Sequence, residues 1–121
     1  MSDNTVYVQD MKNKVQRFCE ERDWDQFHNP KDLAIGISTE ANELLDIFRF
    51  ASNEDMKMIL KDVEKREHVE EELADTLFFI LRFAQMNGID LSDCLADKIV
   101  KNGNKYPVEK IKGKNKKYTE I

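Results

Sequence analysis

The sequence predicts an all-α protein, an up-down four-helix bundle, and three observations lead there. Glycine and proline are scarce, four and two among 121 residues, so the chain has few places to break a helix. Apolar residues recur at steps of three and four in several long segments, and no stretch shows a strand signal. The composition, 40% hydrophobic and 36% charged, suits a helical protein better than a disordered or all-β one. The length favours one domain spanning residues 1–121.

Val8, Met11, Val15 and Phe18 share one face of a first helix within residues 5–22. The segment "RDWDQFHNPKD" breaks that period. Through Asn29 and Pro30 it leads into a second helix with proline in its first turn, running to about Phe50. The apolar stripe of this helix is Ala34, Ile37, Ala41, Leu44, Leu45 and Phe48. "SNED" at 52–55 reads as a stop followed by a fresh N-cap, which predicts a short helix over 54–61. "DVEKREHVEE" then opens a third long helix that ends near Asn87, with Gly88 as a left-handed residue after its last turn. "IDLSDCLADKIVKNGNKYP" gives the fourth, capped by Asp90 or Ser92, with Leu95 and Ile99 facing inward and Gly103 and Pro107 at its end. The tail from about residue 108 carries charge without a period and is expected to be mobile.

A net charge of −5 argues against a nucleic-acid polymer as partner, since such proteins normally present a basic face. The N-terminus has neither a basic patch nor an apolar core segment, and Thr76 and Arg82 interrupt the longest apolar stretch. Neither a secretion signal nor a membrane span is expected, and the location expected is the cytoplasm. Cys19 and Cys94 lack metal-ligand spacing and read as buried, reduced thiols.

Acidic residues three apart are frequent in this chain, but two pairs sit in apolar surroundings. Glu40 and Glu43 lie among Ile37, Ala41, Leu44 and Ile47, and Glu72 and Asp75 open a run containing Leu73, Leu77, Phe78 and Phe79. The third long helix is apolar nearly all round from Leu73 to Met86, which predicts burial on more than one side and a partner surface. Asp75 is then not free to turn to water, and an unpaired buried carboxylate is costly. Residues three apart on a helix have Cβ atoms about 5–6 Å apart, and helices pack about 8–10 Å axis to axis, so the two pairs could meet at one point. A hard divalent cation such as Mg²⁺ relieves the repulsion and leaves positions open for a phosphate. The same residues also fit a partly solvated acidic groove, or salt bridges to the abundant Lys and Arg. In that reading the protein is a non-catalytic helical homo-oligomer that binds nucleotide or a basic partner. A di-iron bundle needs Glu-x-x-His on two helices, and the nearest match, Asp25-x-x-His28, lies in a loop.

The order Glu40-Ala-Asn-Glu43, then Glu72-Leu-Ala-Asp75, in apolar helices resembles the MazG-like all-α nucleoside triphosphate pyrophosphohydrolases. The flanks "ERDWDQFHNPKDLA" and "KNGNKYP" are similar to the dCTP-pyrophosphatase branch, and the resemblance covers about residues 8–107. It implies hydrolysis of a (deoxy)nucleoside triphosphate between the α and β phosphates, giving monophosphate and pyrophosphate, in house-cleaning of nucleotide pools with dCTP-like substrates favoured. It implies assembly as a dimer or dimer of dimers. Mg²⁺ would sit on Glu40, Glu43, Glu72 and Asp75, with Glu43 activating the attacking water. Lys98, Asn102, Lys105 and Tyr106 match the family's phosphate-holding positions and Trp24, Phe50 and Phe79 its base pocket; His28 reads either as a further substrate contact or as a turn cap. The branch often carries Trp and Tyr where this chain has Phe50 and Phe79, and the missing N–H and O–H widen the range of bases expected.

Overall fold

A computed structural model describes residues 2–121, and every regular element among them is helical. The chain divides into two compact units, one ending at Gly88 and one from Ile89 to Ile121. The first contains α1 (Val8–Glu21), a 3₁₀ turn (Asp25–Phe27), α2 (Pro30–Phe48), α3 (Asn53–Lys61) and α4 (Val63–Met86). The second contains α5 (Leu91–Lys105), α6 (Val108–Ile111) and a 3₁₀ turn (Tyr118–Glu120).

Local chemistry fixes the ends. The Asn29 side chain accepts from the Asp32 backbone N–H at 2.9 Å, and Pro30 fills the first helical position of α2, where no N–H is needed. Ser52 and Asp55 form a reciprocal capping box at the start of α3, with both bonds at 3.1 Å. Asp62 caps α4 and Asp90 caps α5, each accepting from a backbone N–H three residues on. After α4 the chain turns at Gly88, whose φ of +63° is a conformation that costs glycine nothing. The fourth long helix runs through Gly103 and stops only at Lys105, because one glycine inside a helix weakens it without breaking it.

α4 is the central element of the first unit, packing against α2 most extensively and then α1 and α3. Gly36 meets Phe79 while Glu40, one turn later, meets Asp75 and Glu72, so α2 and α4 run antiparallel. The ring pair Phe18–Phe78, with centroids 5.8 Å apart, and the neighbouring Cys19 and Arg82 show α1 running the same way as α4. The buried core is small: Val15 and Cys19 from α1, Leu33 from α2, and Leu81 and Ala84 from α4.

α4 packs on α1, α2 and α3, and Leu73 and Leu77, 56% and 41% exposed, leave part of its apolar surface uncovered within one chain. Three sequence expectations are corrected. Asp75 is exposed, because it lies on the open side of α4. Cys94 is exposed, and only Cys19 is buried. Leu95 and Ile99 are also exposed rather than inward-facing.

Gly36 sets how closely α2 and α4 approach. A Cβ there would lie 2.7 Å from two atoms of the Phe79 ring and 2.9 Å from a third. Alanine in place of a mid-helix glycine ordinarily adds about 1 kcal/mol of stability. Here the sign reverses, because overpacking costs about 1–3 kcal/mol. Gly36→Ala is expected to lower the thermal midpoint, and a melting curve followed by circular dichroism checks it.

Candidate functional site: an acidic cluster beside an aromatic cleft

Glu40 of α2 and Glu72 and Asp75 of α4 each offer a carboxylate oxygen, and these oxygens all lie within 4.8 Å of one another. The i, i+3 spacing aims Glu72 and Asp75 the same way, and the antiparallel packing brings Glu40 opposite them. Glu72 is the most enclosed. Its Oε2 is buried with no hydrogen-bond donor, and its Oε1 is 3.4 Å from Nε2 of His68, one turn earlier. Partial burial pushes the Glu40 pKa up, and the neighbouring carboxylates of Asp75, Glu72 and Glu43 push it further. Glu40 and Glu72 are placed to share a hydrogen bond, which needs a proton on one of them; with both ionised, Glu72 Oε2 has no partner. A buried acceptor without a donor, among converging carboxylates, is a donor set that suits a hard divalent cation.

Glu43 lies outside this tight group. It is exposed and lines a neighbouring hollow with Asp46, Ile47, Ile59, Lys65 and His68, close enough for its charge to act on Glu40.

Beside the cluster is a cleft of about 540 Å³. Glu40 and Asp75 form its acidic edge, and Val15, Phe18, Trp24, Phe78 and Phe79 form its apolar wall, with Lys14 at the rim. The rings interlock edge to face: Phe18 with Trp24 at 5.6 Å, Phe18 with Phe78 at 5.8 Å, and Phe78 with Phe79 at 5.6 Å. An aromatic slot next to an acidic, cation-ready edge can accept a planar apolar group joined to an anion.

The structure brings Trp24 and Phe79 together with Glu40 and Asp75 in this cleft. It does not bring Phe50 there. That ring is 88% exposed just past α2, 5.0 Å from the Arg49 guanidinium. His28 is engaged elsewhere: its Nδ1 accepts from Arg82 Nε at 3.0 Å. Lys98, Asn102, Lys105 and Tyr106 lie in the second unit, in the last turns of α5 and at its cap. There Lys105 Nζ sits 4.9 Å from the Tyr118 ring centre, and the Tyr106 ring stands edge-on to Tyr118 at 6.1 Å. Sequence reasoning missed Lys14, Phe18 and Phe78 as cleft residues. Phe18 was legible only as a member of the α1 apolar face, and Phe78 as one of a run of apolar residues.

Residues 35–121 match the model of the MazG-like family. The dCTP pyrophosphatase 1 of Mus musculus is 30% identical over 114 residues, covering 94% of this chain and 67% of its own. The dCTP pyrophosphatase 1 of Homo sapiens is 28% identical over the same length, with the same coverage. The crystal structure of a pyrophosphatase from Archaeoglobus fulgidus superposes with a TM-score of 0.78 at 30% identity, covering 88% of this chain and 98% of the other.

The raised Glu40 pKa has a consequence for stability. A carboxyl whose pKa is raised on folding favours the folded state below the ordinary carboxylate range, and that contribution is lost as pH rises through the folded value. In metal-free protein, Glu40→Gln is therefore expected to raise the melting temperature at neutral pH. The difference from the parent should shrink as pH falls towards 4, and paired thermal melts in chelator across that range check it.

Proposed function

The chain belongs to the MazG-like family, and on that footing we propose that the acidic cluster is the metal centre at which deoxynucleoside triphosphates, dCTP-like ones favoured, are cleaved. It is a nucleoside triphosphate pyrophosphohydrolase. The observation that supports this reading of the site is the convergence of Glu40, Glu72 and Asp75 on one point beside an aromatic cleft.

Glu40, Glu72 and Asp75 would hold Mg²⁺, and Glu43, one turn along α2 from Glu40, would complete the set. When bound, the cation supplies positive charge against the phosphate oxygens and acidifies water. Glu43 is exposed and lies outside the tight group, so it would be the carboxylate least taken up by the cation and placed to accept a proton from the attacking water. The water oxygen adds at phosphorus and the bond to the oxygen bridging the α and β phosphates breaks. Nucleoside monophosphate and pyrophosphate leave, and no side chain forms a covalent intermediate.

Trp24 and Phe79 would stack the base, a contact worth about 1–3 kcal/mol. Phe79 has no hydroxyl to read a base edge, which favours tolerance among bases. Lys98, Asn102, Lys105 and Tyr106 are assigned the phosphates, and His28 a contact at the edge of the site. Exposed Leu45, Leu73 and Leu77 form apolar surface suited to a homo-oligomer, dimer or tetramer, in which Phe50 would serve a partner's cleft. No helix among the described residues is long and apolar enough to cross a membrane, and the proposed setting is the cytoplasmic nucleotide pool.

Incubation with each dNTP and Mg²⁺ is expected to yield dNMP and pyrophosphate; dNDP and orthophosphate would contradict the proposed cleavage. Asp75→Asn and Glu43→Gln should lower kcat by at least about a hundredfold while the circular dichroism spectrum is retained. Chromatography of the products and kinetics of the variants check both.

A further inference from the structure

Arg82 is the most buried charged side chain described, 1% exposed, and its guanidinium faces the segment between α1 and α2. Nη2 donates to Asp25 Oδ1, Nε donates to His28 Nδ1 at 3.0 Å, and Nη1 donates to Gln85 Oε1 at 2.6 Å. Two of these three partners follow Trp24 within four residues, and His28 also stands edge-on to the Trp24 ring at 6.2 Å. The bond to Nδ1 needs a neutral imidazole with its proton on Nε2. Burial, and then the Arg82 charge, lower the His28 pKa and favour that form.

From the other side, Trp24 is held by the end of α1. The Trp24 N–H donates to Cys19 O at 3.0 Å and the Asp23 N–H to Glu20 O at 3.0 Å, with Asp23 left-handed at φ 54°. This is the Schellman pattern, and its usual apolar contact is here the Phe18–Trp24 ring pair. Residues 25–28 are joined locally to the end of α1, Gln26 Nε2 donating to Asp23 O at 3.1 Å and the Phe27 N–H to Trp24 O at 2.9 Å, and the Arg82 bonds tie this turn to α4. A buried guanidinium tolerates burial only with its acceptors in place, so Arg82 fixes where they sit.

We propose that Arg82 is a positioning residue for the substrate's base, holding the Asp25–His28 turn so that Trp24 stands as one wall of the cleft. This rests on the reading that the cleft takes the base. It assigns a role to a residue of α4 that does not line the cleft.

Trp24 is the only tryptophan, so its emission reports on this wall. Asp25→Ala removes the acceptor at a half-exposed position and is expected to fold; Arg82→Lys keeps charge and stem but loses the fork. In both, acrylamide quenching of Trp24 should rise and its emission shift to the red, with far-UV circular dichroism unchanged. The KM for a dNTP should rise about tenfold, the scale of one stacking contact, with kcat within about threefold. Unchanged Trp24 emission in Asp25→Ala overturns the proposal. So does altered emission with unchanged KM, or loss of helicity with KM and kcat collapsing together. If the parent protein turns over no dNTP, the functional reading falls, and the quenching comparison still decides whether Arg82 holds Trp24.

Discussion

Three carboxylate oxygens from two helices lie within 4.8 Å of one another, and the rest of this molecule has to accommodate that. Like charges at that separation repel, and partial burial raises the cost. The protein absorbs part of it by raising the pKa of Glu40 and leaves part of it outstanding in the undonated Oε2 of Glu72. A fold that selects such an arrangement gives up stability at this site, which is intelligible when a cation restores it on binding.

The repulsion is held in check by apolar packing one turn away. Gly36 lies one helical turn before Glu40, and Phe79 one turn after Asp75. The ring packed against a residue without a Cβ sets the separation of α2 and α4, and that separation sets how far apart the carboxylates stand. The same ring is a wall of the cleft. Carboxylate spacing and cleft shape are therefore two readouts of one helix–helix contact, and changes to the cleft's wall should not be assumed to leave the acidic edge where it was.

Much of this was legible in the sequence because it is local. Helix ends follow from side chains three residues from a backbone N–H: Asn29 with Asp32, Ser52 with Asp55, Asp90 with Asp93. The Glu72 and Asp75 pairing follows from helical spacing. What was illegible depends on tertiary neighbours. Asp75 looked buried because its sequence neighbours are apolar, yet a helix residue's exposure is set by what packs on its own side, and the Asp75 side is the open cleft. Glu43 looked equivalent to Glu40, and the two share a helix face; which of them stands level with Glu72 and Asp75 depends on where α4 packs along α2, and it is Glu40, with Glu43 one turn on at the neighbouring hollow. Arg82 read merely as an interruption of a greasy run. Two of its three partners, His28 and Asp25, are 54 and 57 residues away in sequence, a pairing that no periodicity reveals.

Charge is also unevenly shared along the chain. The segment from Ile89 onward carries eight lysines against five acidic side chains, so the acidic excess belongs wholly to the unit that holds the cluster. A triphosphate approaching that unit meets a repulsive field, and its aromatic wall offers only short-range attraction. Stacking on Trp24 acts within contact distance, whereas repulsion between a polyanion and a set of carboxylates acts over about a Debye length, roughly 8 Å at physiological salt. The order of events follows from those ranges. On the proposed reading of the site, a cation would have to reverse the local sign first, and only then could ring contacts discriminate among bases; an aromatic cleft at this acidic edge would have little use for a nucleotide until the carboxylates were neutralised.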